Sequence, residues 1–144
     1  MRKLAALLTA AAVCALAVTA VSLAATRGMG WSAKLTAAQE VPKQSVKNAA
    51  GTGAFHATES GNKLKWTLTF SKLTGAATAA HIHMGAMGKA GNVVVALCGP
   101  CKSPVSGTAT LTPALKKAVA KHLLYVNVHT AKNPGGEIRG QIAG

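Results

Sequence analysis

An antiparallel β-sandwich or partly closed barrel of roughly seven to eight short strands, with one short helix near residues 113–123, is the fold the sequence predicts. Residues 63–70 alternate strictly, with Leu64, Trp66, Leu68 and Phe70 on one side and Lys63, Lys65, Thr67 and Thr69 on the other. A period of two marks a strand buried on one face. Weaker copies of this pattern recur along the chain between clusters of Gly, Pro, Asn and Ser. So many one-sided apolar faces are covered only by a second sheet or by curling of the first.

At the N-terminus, Arg2 and Lys3 precede an uncharged Ala/Leu/Val-rich run over residues 4–25, the layout of a secretory signal peptide. Ser22 and Ala24 satisfy the small-x-small rule, as Val18 and Ala20 do less well, so residues 1–24 read as a signal peptide cut after Ala24. The run is also long enough to serve as an uncleaved anchor. Its Ala content and small-residue end favour removal, which leaves no membrane span and a secreted, periplasmic or cell-surface protein. Val13 stands before Cys14 where lipoprotein processing wants a small residue.

The remaining chain of about 120 residues suits one domain with one modest core. Its strands are expected at 31–38, 52–58, 63–70, 77–84, 108–111, 124–129 and 137–142. A continuous apolar run at 93–97 reads as a strand buried on both sides. Thr112 is an N-cap candidate and Pro113 suits the first helical position. Leu115, Ala118, Val119 and Leu123 then fall on one side of a helix and Lys116, Lys117 and Lys121 on another, so it should lie across a sheet edge or barrel end. Asn133, Pro134, Gly135 and Gly136 form a turn by composition, returning the strand that ends at His129 into the strand carrying Glu137 to Ile142.

With 16 Lys and Arg against 3 Asp and Glu, the chain carries a formal charge of +13, and loss of Arg2 and Lys3 leaves it strongly basic. The lysines are scattered through turns and strand faces without interleaved aromatics, so no nucleic-acid partner is expected. An exported basic protein has either a solvated surface that keeps it soluble or an extracellular partner such as an acidic polymer or protein.

His81 and His83 are two apart, which in a strand turns both imidazoles to one side. The same alternation over 124–129 separates Tyr125, Asn127 and His129 from Leu124, Val126 and Val128. If the two strands are neighbours, three imidazoles meet, and such a cluster suits copper or zinc. The competing reading has these histidines hydrogen-bonding turn backbone. His56 and His122 read as ordinary polar-face residues. Glu137 and Arg139 project from one face and are expected to pair with each other or with neighbours, or to support the histidines from behind.

Cys98-Gly99-Pro100-Cys101 has thioredoxin-type spacing, but that chemistry needs a helix starting at the motif, and Pro104 and Gly107 break any helix there. A short structural disulfide is the preferred reading, with redox or metal use as the alternatives. A carboxylate pair, a Ser-His-Asp arrangement, a phosphate-binding Gly loop and an aromatic stacking platform are all missing from the sequence. Function by binding is therefore expected over catalysis.

The segments Leu35 to Pro42, Ala50 to Gly53, Ala80 to His83 with Gly85 and Lys89 to Gly91 behind, and Tyr125 to Gln141 resemble the CHRD domain family, named after chordin, over about residues 31–142. The resemblance implies an extracellular β-sheet domain, common as a single exported domain in bacteria. It assigns no ligand. The histidine arrangement is also distantly similar to copper-zinc superoxide dismutase, by which His81, His83 and His129 would be ligands and Arg139 an anion-attracting residue. The bridging histidine and zinc loop of that enzyme are absent from this sequence, which speaks against dismutase activity.

Overall fold

The computed structural model describes residues 30–43 and 50–144, so the proposed signal segment 1–24 lies outside the described residues. Eight antiparallel strands form one sheet: β1 (Gly30–Thr36), β2 (Thr52–Ser60), β3 (Lys63–Ser71), β4 (Ala77–Met84), β5 (Val93–Cys98), β6 (Val105–Thr110), β7 (Leu124–Thr130) and β8 (Ile138–Gln141). Their spatial order is β5-β4-β7-β8-β1-β2-β3-β6, which curls into a nearly closed barrel with β5 and β6 at its seam. A single helical turn, Ala37–Gln39, follows β1, and the helix α1 (Pro113–Ala120) joins β6 to β7. Among the described residues no helix is long and apolar enough to cross a membrane.

Alternation builds the interior. Register pairs Ala33 with Phe55 and Phe55 with Leu68, so the inward residues of β1, β2 and β3 line up across the sheet. Ile82 of β4 meets Val126 of β7 in the same way. These side chains, with Trp31, Leu35, Leu64, Trp66 and Ile138, make one buried cluster. β6 extends three residues earlier than its sequence pattern because Gly107 lies under the Trp66 indole; a Cβ there would come within 2.6 Å of that ring.

Two expectations shift. The run at 93–97 is not buried on both sides: β5 pairs only with β4, and Val93 and Val94 are exposed at the open seam. The helix stops at Ala120, three residues short of its periodic pattern. His122 adopts a left-handed φ of 53°, Leu123 N–H donates to Ala118 O and His122 N–H to Val119 O. That pair of bonds is a Schellman closure, which ends a helix whatever apolar residue follows. At the other end Thr112 accepts from Leu115 N–H as the N-cap, and Leu115, Ala118 and Val119 enter the core.

The second face of β7 positions the site. All seven residues of β7 are buried, although alternate ones point outward. Their cover comes from three connections: the 37–42 segment, the strap from Gly85 to Asn92, and the 131–137 turn. A buried layer of polar side chains thus sits outside the barrel wall.

Candidate metal centre

Register brings the histidines together. β4 opposes β7 with His81 across from Asn127, His83 across from Tyr125 and Ala79 across from His129, so all three imidazoles rise from the outer face at adjacent positions. One ring nitrogen from each lies within 4.8 Å of the other two. His81 Nδ1 is 3.1 Å from His129 Nε2. Three imidazoles bound tetrahedrally to one ion at about 2.0–2.1 Å have nitrogens roughly 3.3 Å apart, so one pair is already at coordination spacing.

Carbonyl groups orient two of the rings. His83 Nδ1 lies 3.0 Å from Gly91 O and His129 Nδ1 lies 3.0 Å from Pro134 O. A carbonyl only accepts, so both Nδ1 atoms carry the proton and both Nε2 atoms present lone pairs. His83 Nε2 is buried and has no hydrogen-bond partner among the described residues. His129 Nε2 accepts from His81 Nδ1–H in the neutral trio, and His81 reaches the ligating state by moving its proton to Nε2. All three pKa values lie below the ordinary histidine value, chiefly because burial disfavours the cation. Mutual repulsion adds to this for His81 and His129, and Arg139 adds to it for His83. Neutral imidazole is the form that binds metal.

The strap locks His83 from behind. Tyr125 Oη accepts from Gly91 N–H at 3.0 Å and donates to Gly91 O at 3.4 Å, while the Tyr125 ring stacks on His83. Gly91 is required at this crossing, since a Cβ there would overlap Met84 O. Arg139 caps the stack with its guanidinium carbon 3.5 Å from the Tyr125 ring centre.

Glu137 and Arg139 do not form an ion pair with each other. The Glu137 carboxylate accepts from Thr74 N–H, Thr74 Oγ1, Thr130 Oγ1 and Asn133 Nδ2 at 2.6 to 2.9 Å. Burial pushes its pKa up, and those four bonds outweigh it and hold the group below the usual range. Arg139 Nη2 instead donates to Ala86 O and Gln141 Oε1. Cys98 and Cys101 are joined as a disulfide with Cα atoms 5.4 Å apart, and loop then strand β6 follow, without a helix.

Composition and spacing assign no role at this site to Glu40, Gly91 or Tyr125, although all three fall within the segments that resemble the CHRD domain. Glu40 is buried, accepts from Asn127 Nδ2, and has its pKa pushed up to about 7 by that burial. A single acid among apolar and small residues gives no sign of burial in the sequence. Tyr125 shares the parity of His129 and opens the last of those segments.

The family model described as the CHRD domain matches residues 31–142. No curated protein and no solved structure matches the chain.

Proposed function

From the premise that this chain belongs to the CHRD domain family, an extracellular type of β domain, we propose that it works by binding and that its ligand is a copper or zinc ion held by His81, His83 and His129. The observation that carries this reading is the pair of carbonyl tethers, Gly91 O and Pro134 O, which aim two Nε2 lone pairs into the space beside His81. Carbonyl-tethered imidazoles are the usual arrangement behind metal-ligating histidines. Three neutral nitrogens favour Cu(II) over Zn(II) by intrinsic affinity. A bound ion would supply Lewis acidity or, for copper, one-electron chemistry; the partly exposed side of His81 leaves it open to a further ligand.

Isothermal titration of Cu(II) and Zn(II) into the chain lacking residues 1–24 tests the reading. Wild type is expected to take up one ion per chain, and the His81→Ala/His83→Ala variant to lose at least a hundredfold in affinity. Unchanged affinity in that variant removes the site.

The charge distribution favours a second, compatible reading, contact with an acidic polymer. The three acids present no free carboxylate to solvent: Glu40 and Glu137 are buried, and Glu59 pairs with Lys116 at 3.0 Å. The side-chain charge exposed by the described residues is thereby almost wholly positive. Retention on a sulfated polysaccharide column that weakens steeply with salt is expected. Elution with the neutral-protein fraction would refute it. Export belongs to the same proposal, and N-terminal sequencing of protein recovered outside the cytoplasm should begin at Ala25.

A further inference from the structure

On the far side of Tyr125 from His83, a cleft of about 400 Å³ opens between the 38–43 segment and the strap, lined by Glu40 and Arg139 with Ala38, Val41, Met87 and Lys43. We infer that this cleft binds a small organic carboxylate, seated with its oxygens between the Arg139 guanidinium and the Glu40 carboxyl. The inference does not depend on metal at the histidines.

Both polar groups are deeply buried, each with 2 % of its surface exposed. Both also have spare capacity: Arg139 Nη1 and Glu40 Oε1 have no hydrogen-bond partner among the described residues. Glu40 and Arg139 line the same cleft, yet they stand too far apart to form an ion pair. Burying a guanidinium without a carboxylate in hydrogen-bond contact is unfavourable, and this one is held by Tyr125, Ala86 O and Gln141. What the arrangement lacks is an anion that accepts from Nη1.

Glu40 can supply the second donor. Burial holds its pKa at about 7, against the opposing pull of Asn127 Nδ2, Arg139 and the Val41 N–H, with Glu137 pushing the same way as burial. Among the described residues Lys43 is the remaining charged group at the cleft. Near neutral pH a large fraction of Glu40 is therefore protonated, and its O–H is then a second donor in the cleft that Arg139 also lines. Two such donors match the two oxygens of a carboxylate. The apolar walls from Ala38, Val41 and Met87 suit a hydrocarbon body, and the cationic surface favours entry of an anion.

The test is a nuclear magnetic resonance titration of the chain lacking residues 1–24 with benzoate, propionate, phosphate and methylammonium, read at the amides of Ala38, Val41, Met87 and Gly88. Benzoate should give saturable shifts at these positions and outcompete phosphate. Its affinity should fall about tenfold between pH 6 and pH 8 as Glu40 ionises. Glu40→Gln, which keeps a donor that does not titrate, should abolish that pH dependence while retaining binding, and Arg139→Gln should lose binding. Should Arg139→Gln fail to fold, the Glu40→Gln comparison still decides. Absence of saturable shifts with benzoate, equal wild-type affinity at both pH values, or tighter binding of phosphate or methylammonium would each overturn the proposal.

Discussion

The His83 and Tyr125 rings lie stacked with centroids 4.9 Å apart and planes 10° from parallel, and both side chains hydrogen-bond to the carbonyl of Gly91. One backbone oxygen therefore fixes both the tautomer of a candidate ligand and the ring that packs against it. Tyr125→Phe keeps the stack and removes the hydroxyl, leaving Gly91 N–H without its partner. Copper affinity is expected to fall about tenfold, as for other groups that orient a ligand from behind. Calorimetric titration of the variant checks this, and an unchanged constant would show that the strap is held without Tyr125.

Glu40 makes the fold sensitive to alkali. Its folded pKa of about 7 lies above the unfolded value of 4.5, so between those limits the folded state holds a proton that the unfolded state has released. The stability this contributes is complete below pH 4.5 and is lost as pH rises through 7. The difference is up to about 3 kcal/mol. Glu40→Gln should accordingly be more stable than wild type near pH 8 and gain nothing near pH 4. Urea unfolding at the two pH values measures it.

Glu137 has the opposite sign. Its folded pKa is held below the ordinary value of 4.5, so its contribution is present above that value and disappears as pH falls through the folded pKa. Glu137→Ala strips the acceptor from Thr74, Thr130 and Asn133 together and is expected to cost about 3–4 kcal/mol at neutral pH. The 131–137 turn also carries Pro134 O, so the variant should loosen His129 and weaken metal binding beyond what its global stability implies.

The Cys98–Cys101 bridge closes a very short loop at the end of edge strand β5. Closing so few residues contributes about 2 kcal/mol at most. Cys98→Ser/Cys101→Ser should thus remain folded, with a modestly lower thermal midpoint and intact metal binding. Loss of binding would show that β5 also steadies β4 at His81 and His83.

Most of the barrel was legible because alternation is local. Trp66, Leu68 and their neighbours declare a buried face within one strand, and all eight expected strands are present. Where the local pattern misleads, the deciding contact lies elsewhere in the chain. Val93 and Val94 look like core but occupy the seam, which only the pairing of distant strands decides.

From order along the chain alone came the parity of His81, His83 and His129, the one-sidedness of their strands, the cap at Thr112 and the scarcity of acids, since each follows from a residue and its immediate neighbours. That β4 lies beside β7, that Gly91 and Pro134 offer their carbonyls to the imidazoles, and that Glu40 is buried beside Arg139 were settled by the fold. Strand pairing and loop cover join residues dozens of positions apart, and no local periodicity records which distant group will exclude water from a polar side chain.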